Sequence, residues 1–196
     1  MIRESILAIA LALVGRAPAL AQAAPAEPSV AFRLFNEVCL NSDGDRMALI
    51  DAAGRNSFAL RVGDRPRTIG GLTNATFLPW VGNGPDTGLV IGWKRGLLSC
   101  VITTKGGDRE RITQEVEGWV GFPSDARFVN GNTTNFLFSE TSDGRAAQWD
   151  ATPEQQRALV AEGLLRVVWV SVASGNTTLS FSAPPKSDTP NSQGSE

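Results

Sequence analysis

The sequence predicts an α+β fold: a mostly antiparallel sheet of about five to seven strands, about four short helices packed on one face, and one disulfide. Apolar residues recur at helical spacing in some segments and alternate with polar residues in others. Strand-like segments come in pairs joined by short turns, and no regular strand–helix–strand alternation is present. Only two cysteines, Cys39 and Cys100, are available for the disulfide.

The first predicted elements are two helices. Ser29 can cap the first helix, whose apolar face holds Val30, Ala31, Leu34, Phe35, Val38 and Cys39. Ser42 and Asp45 have the spacing of a capping box, and Gly54 is a stop signal. These positions predict a short second helix.

The middle of the chain predicts strands. A short strand around Trp80 lies within the Gly- and Pro-rich segment 58–85. Residues 88–94 and 97–104 have the alternation of a hairpin, and the second of these strands has Cys100 on its apolar face. Both cysteines therefore lie on apolar faces of different elements, which favours a link between a helix and the sheet.

A third helix and a second hairpin are predicted next. Asp108 can cap the helix, and Gly121 ends it. Residues 133–140 and 145–149 predict the two strands of the hairpin, with Asp143 in the turn. The aromatic residues of the first strand share one face.

The last predicted elements are a fourth helix and two strands. Thr152, Pro153 and Gln155 have the residue types and spacing of a helix start. Residues 164–172 form the most apolar strand, and residues 177–183 form its partner after a short turn.

The N-terminus has the pattern of a secretory signal peptide over residues 1–21. Arg3 precedes an apolar run from Ile6 to Val14, and a small-x-small cleavage motif ends at Ala21. The run is much shorter than the ~20 residues that a membrane-spanning helix needs. The sequence therefore predicts export without a stable membrane anchor.

The rest of the chain divides into three parts. We expect residues 22–28 to form a disordered lead-in, residues 29–183 a single α+β domain and residues 184–196 a disordered tail. The signal composition indicates a Gram-negative bacterium. The predicted location is the periplasm, with release into the medium as the alternative.

The composition excludes several kinds of site. The chain has no His and no Tyr, so catalysis by Ser-His-Asp or Cys-His groups is excluded. A formal net charge of −2 does not match the basic surface of a nucleic-acid-binding protein. We expect no cofactor and no nucleic-acid partner.

Cys39 and Cys100 predict a structural disulfide, because an exported protein meets an oxidising compartment. The alternative is a redox pair, but the C-x-x-C spacing that activates a thiol is absent. Closing a loop of this length stabilises the fold by about 4 kcal/mol.

A metal site is not expected. Asn41, Asp43 and Asp45 alternate as at the start of a calcium loop, but Gly44 is misplaced and the closing Glu is absent. Helix capping accounts for these residues better.

Other motifs have ordinary explanations. Gly-Asn-Thr-Thr occurs at 131–134 and at 175–178, where turn chemistry before a strand accounts for it better than a repeated ligand loop. The acidic pairs Asp143/Asp150 and Glu110/Glu115 have no separation that the sequence defines, so solvated surface charge is the default.

Trp80 is the candidate binding residue among the five tryptophans, because it lies in a loop-rich segment. The other four are scattered one per element, and packing explains them.

The order of elements, with Phe35-x-x-x-Cys39-Leu40, Gly54 and Cys100-Val101, resembles small uncharacterised exported proteins of proteobacteria over residues 30–183. The resemblance implies an exported fold with two cysteines and implies no activity.

Two functions follow as hypotheses. The first is a non-enzymatic binding module for a protein, peptide, glycan or other cell-envelope component. The second is a His-independent hydrolase that uses carboxylates, which an aromatic groove beside two carboxyls of raised pKa would favour.

Overall fold

The computed structural model describes residues 27–60, 76–81, 86–94 and 96–186, without the side chains of 60, 76–81 and 94. The helices in this part of the chain are α1 (Val30–Val38), α2 (Arg46–Arg55), α3 (Arg109–Val120) and α4 (Pro153–Ala161), with 3-10 turns at Leu40–Ser42 and Ala126–Phe128. The strands are β1 (Ala59–Leu60), β2 (Thr76–Val81), β3 (Thr87–Lys94), β4 (Leu97–Lys105), β5 (Val129–Asn130), β6 (Thr133–Thr141), β7 (Gly144–Ala147), β8 (Leu165–Ala173) and β9 (Asn176–Ala183).

All of these strands belong to one sheet with the order β1-β2-β3-β4-β9-β8-β6-β5, and β7 also pairs with β6. Every pairing is antiparallel. The predicted α+β class is therefore confirmed. The sequence does not predict β1 and β5, because each has only two residues and shows no periodicity.

The core lies between the helices and one face of the sheet. A row of paired side chains crosses five strands through Ile91, Cys100, Phe181, Val168 and Phe136, and all of them are buried. Helix α1 contacts β4 and β9, and α3 contacts β8. Alternation along β9, for example, places its apolar side chains in the layer beneath these helices.

The predicted disulfide between Cys39 and Cys100 is confirmed. Their Cα atoms lie 5.5 Å apart, which is ordinary for a disulfide. Both residues are buried, and the bond joins the C-terminal end of α1 to β4. The covalent link therefore fixes a helix onto the middle of the sheet.

The helix starts follow the predicted caps at three of four helices. Ser29, Asp108 and Thr152 accept backbone N–H groups of α1, α3 and α4, and Thr152 with Gln155 completes a capping box. The prediction for α2 was wrong in its cap, because Asp45 alone accepts the backbone N–H groups. Ser42 instead ends a 3-10 turn and donates its hydroxyl to the Cys39 carbonyl at 2.6 Å.

Helix α4 differs from the other helices because none of its residues is buried. It contacts the sheet at β8, and the Leu164 N–H donates to the Leu159 carbonyl at 2.8 Å. Within the described residues, no helix is long and apolar enough to cross a membrane.

The chain ends of the domain are held by specific bonds. Pro184, the first residue of the predicted tail, is buried, and the Lys186 N–H donates to the Gly44 carbonyl at 3.2 Å. At the other end, the Glu27 carbonyl accepts a hydrogen bond from Arg111. The predicted signal peptide, over residues 1–21, and residues 187–196 lie outside the described residues.

Candidate functional site

The candidate site begins where the chain leaves β7. The sequence predicts a returning strand that continues to Trp149, but β7 ends at Ala147. Trp149 instead packs among three Phe rings, with centroid separations of 5.7 Å to Phe122, 5.0 Å to Phe128 and 6.3 Å to Phe136. Aromatic pairs of this kind contribute about 0.5–1.5 kcal/mol each beyond area burial, so they hold the indole in one orientation.

Trp149 is only half-buried, and it lines an open cleft of about 490 Å³ between the segment after β7 and helix α4. We call this the Trp149 cleft. Its lining residues are Ala147, Gln148, Trp149, Asp150, Ala151, Gln155, Ala158, Leu159 and Glu162. The three alanines contribute only short side chains to the lining. The volume is within the range of small-molecule and side-chain binding sites.

Two amides on the cleft wall are oriented by the protein. Gln148 Nε2 donates to Ser139 Oγ at 2.9 Å, and Gln155 Oε1 accepts the Thr152 N–H at 2.7 Å. Each amide thus has one end fixed by a described neighbour. The carbonyl oxygen of Gln148 and the NH₂ group of Gln155 remain for a ligand.

The charged groups that line the cleft are all acidic. Asp150 has an 84% exposed side chain and accepts a hydrogen bond from Arg127 Nη1 at 2.6 Å. Glu162 is the C-cap of α4, and its carboxylate forms no hydrogen bond or ion pair with the described residues. The two carboxylates lie at opposite ends of α4, so the cleft is acidic along its length.

Two carboxylates outside the cleft lining have lowered pKa values. Hydrogen bonds from the side chain and the backbone of Arg127 lower the pKa of Asp125. The pKa of Glu154, in the first turn of α4, is lowered by a hydrogen bond from its own backbone N–H and by the Arg157 side chain. Both groups are therefore anions at neutral pH, and neither contributes a proton donor to the cleft.

The structure does not place the sequence-predicted binding residue in this cleft. Trp80 lies in β2, where it pairs with Leu89, and its side chain is outside the described part of the chain. Trp93, Trp119 and Trp169 are half-buried in the fold. Trp119, for example, packs edge-on against Phe138 and Phe181.

The acidic residues considered in the sequence have separate roles. Asp43 forms two hydrogen bonds with the buried Arg166, at 2.5 and 3.1 Å, and Asp45 caps α2. Glu115 accepts the Ser29 N–H and hydroxyl at 2.6 and 2.5 Å. Of the pair Asp143 and Asp150, only Asp150 lines the cleft.

Among the residues with described positions, no group of three or more acidic or Cys side chains is arranged to hold a metal ion. The Gly-Asn-Thr-Thr motifs lie at the turns before β6 and β9 and do not contribute to the cleft lining.

Sequence reasoning missed the cleft because its two walls are brought together by the fold. One available signal was Trp149 directly before the helix start at Thr152 and Pro153, since this order places an aromatic ring beside a helix. No family model, and no curated protein or solved structure at a significant level of similarity, matches this chain.

Proposed function

We propose that this protein is a non-enzymatic binding module of the bacterial periplasm that holds a protein, peptide or other cell-envelope component in the Trp149 cleft. The observation that carries the proposal is the cleft itself. It combines a rigidly held indole with fixed amides and acidic groups, which is the composition of a recognition site.

The proposed location is supported by the N-terminal sequence and by the disulfide. Residues 1–21 have the features of an export signal. Disulfides persist in the periplasm and are rare in the cytosol, so the bond between Cys39 and Cys100 fits the same compartment.

The alternative is a His-independent hydrolase, because Asp150 and Glu162 both line the cleft. A carboxylate pair that cleaves glycosidic bonds needs one carboxyl of raised pKa to protonate the leaving group. Asp150 is highly exposed and paired with Arg127, whereas a catalytic acid of this kind lies in an apolar, buried setting. The cleft therefore favours binding over hydrolysis.

Site-specific photo-crosslinking in a Gram-negative periplasm tests the proposal. A photoreactive amino acid at position 158, on the cleft wall, should give defined adducts that mass spectrometry identifies as one class of envelope component. Position 161 is the matched control, because Ala161 is exposed on the same helix but does not line the cleft.

Equal adducts at the two positions, or none at position 158, would contradict a role for the cleft. The hydrolase is tested separately by incubating purified protein with cell-wall material. Release of products by the wild type, with loss of release in Glu162→Gln, would favour the enzyme over the binding module.

A further inference from the structure

We infer that the Trp149 cleft recognises a basic side chain, Lys or Arg, of a partner polypeptide. This inference rests on the proposed function and names the chemistry of the group that the cleft takes. Three features of the cleft support a basic ligand: the negative charge at the end of α4, the apolar part of the lining, and the ion pairs that already occupy the surrounding arginines.

The C-terminal end of α4 places a carboxylate in the cleft. A helix C-terminus carries about half a negative elementary charge, because its last carbonyl groups have no partner within the helix. A Lys or Arg in the last turn would offset this charge, but α4 has no basic residue there. It carries the Glu162 carboxylate at the C-cap instead. The Arg166 guanidinium, which donates to the Gly163 carbonyl beyond the helix at 2.8 Å, is paired with Asp43.

The floor suits the stem of a long cationic side chain. Trp149 presents an aromatic surface and Leu159 an aliphatic one, and both line the cleft. Lys and Arg pack their methylene groups along such surfaces while the charged end reaches a polar partner. A cation near an indole is also attracted by the ring quadrupole. This chain shows the same arrangement elsewhere, since the Arg145 guanidinium lies 3.7 Å above the Trp119 ring.

The arginines near the cleft leave Glu162 for a ligand. Arg127 is bound to Asp125 and Asp150, and Arg157 is bound to Glu154 at 2.7 Å. Glu162 has no such partner among the described residues. The Gln148 carbonyl oxygen is a second acceptor on the wall. A guanidinium or ammonium group in the cleft can therefore donate to the Glu162 carboxylate and to the Gln148 carbonyl oxygen.

The experiment titrates the protein with three capped pentapeptides, Ala-Ala-X-Ala-Ala, where X is Lys, norleucine or Glu. Binding is followed by NMR through the Trp149 indole and the amides of α4. We expect the Lys peptide to bind about fivefold more tightly than the norleucine peptide, the upper range for an exposed ion pair, and the Glu peptide to bind most weakly.

Two matched variants assign the preference to one charge. Glu162→Gln should reduce binding of the Lys peptide to the level of norleucine. Glu154→Gln removes the same charge from the same helix, but Glu154 does not line the cleft and is already paired with Arg157, so the preference should persist. Both residues are exposed, so the fold should tolerate both changes.

Equal binding of the Lys and norleucine peptides, or an unchanged preference in Glu162→Gln, would overturn the inference. Ala158→Trp separates this failure from failure of the proposed function, because it fills the cleft from an exposed position. If Ala158→Trp abolishes adducts from a photoreactive amino acid moved to position 151, which also lines the cleft, while no peptide shows a charge preference, the binding module stands and the basic ligand does not. If Ala158→Trp leaves all binding intact, both fail.

Discussion

Helices α1 and α4 have the same length and the same kind of N-terminal cap, but they pack to different depths. Each has nine residues and begins with a hydroxyl side chain that caps its backbone. Helix α1 buries Ala31, Phe35 and Val38, and the disulfide fixes its end. Helix α4 buries none of its residues and forms a wall of the Trp149 cleft.

The difference shows that capping decides whether a helix forms, whereas an apolar stripe decides how deeply it packs. Positions on α1 return to the same face every three or four residues. The apolar side chains of α4 are clustered near its end and include only Leu159 and Val160 besides alanine. Elements with few buried contacts open most readily, and binding sites often use them.

The largest expected loss of stability comes from removing the disulfide at the end of α1. Replacing both Cys39 and Cys100 with Ala should lower the free energy of unfolding by about 4 kcal/mol, because the unfolded chain regains the entropy of an open loop. Urea unfolding of the two proteins measures the difference. A loss below about 1 kcal/mol would mean that packing alone holds α1 on the sheet.

The second comparison uses the same substitution on both helices. Val38→Ala should cost about 2 kcal/mol, because it leaves a cavity beneath a fully buried side chain. Val160→Ala, at a half-buried position of α4, should cost less than about 1 kcal/mol. Similar losses in thermal or urea unfolding would show that α4 is as firmly packed as α1.

The third comparison concerns the caps. Thr152→Ala should cost about 1 kcal/mol, the usual value for a lost cap. Ser29→Ala should cost more, about 2 kcal/mol, because Ser29 also donates its hydroxyl to Glu115 of α3. The double variant Ser29→Ala with Glu115→Gln checks the coupling, since the two losses should not add.

Cleavage of the predicted signal peptide should have the smallest effect on the stability of the fold. Cleavage after Ala21 would remove the predicted signal peptide before Ser29, so the cap of α1 would be retained. Mass spectrometry of protein from the periplasmic fraction should show a chain that begins at Gln22, or at Ala24 if cleavage follows Ala23 instead. An intact Met1 in that fraction would contradict the signal peptide.

Local chemistry explains what could be predicted from the sequence. The caps at Ser29, Asp108 and Thr152 depend on residues within one helical turn, and alternation along β9 reports the buried face directly. The disulfide was predictable because two cysteines allow only one pairing.

The site was not predictable in this way. The cleft depends on β7 ending early and on Trp149 turning into the Phe cluster, and both follow from contacts with residues far along the chain, such as Phe122. The buried pair of Arg166 and Asp43 also joins distant segments, so neither residue carries a local signal for its partner. The two-residue strands are too short for any periodic pattern.

The short strand β5 has a consequence for self-association. The outer edge of β6 is divided between β5 and β7, and between them the Leu137 carbonyl accepts the Gln148 N–H at 2.8 Å. Asn135 also donates its side chain to the Phe128 carbonyl at 3.2 Å. An incoming strand therefore finds no continuous row of open backbone groups along this edge, and fibril growth by strand addition is blocked there. The Trp149 cleft, which includes Ala147 of β7, therefore lies beside a part of the sheet that offers no template for strand addition.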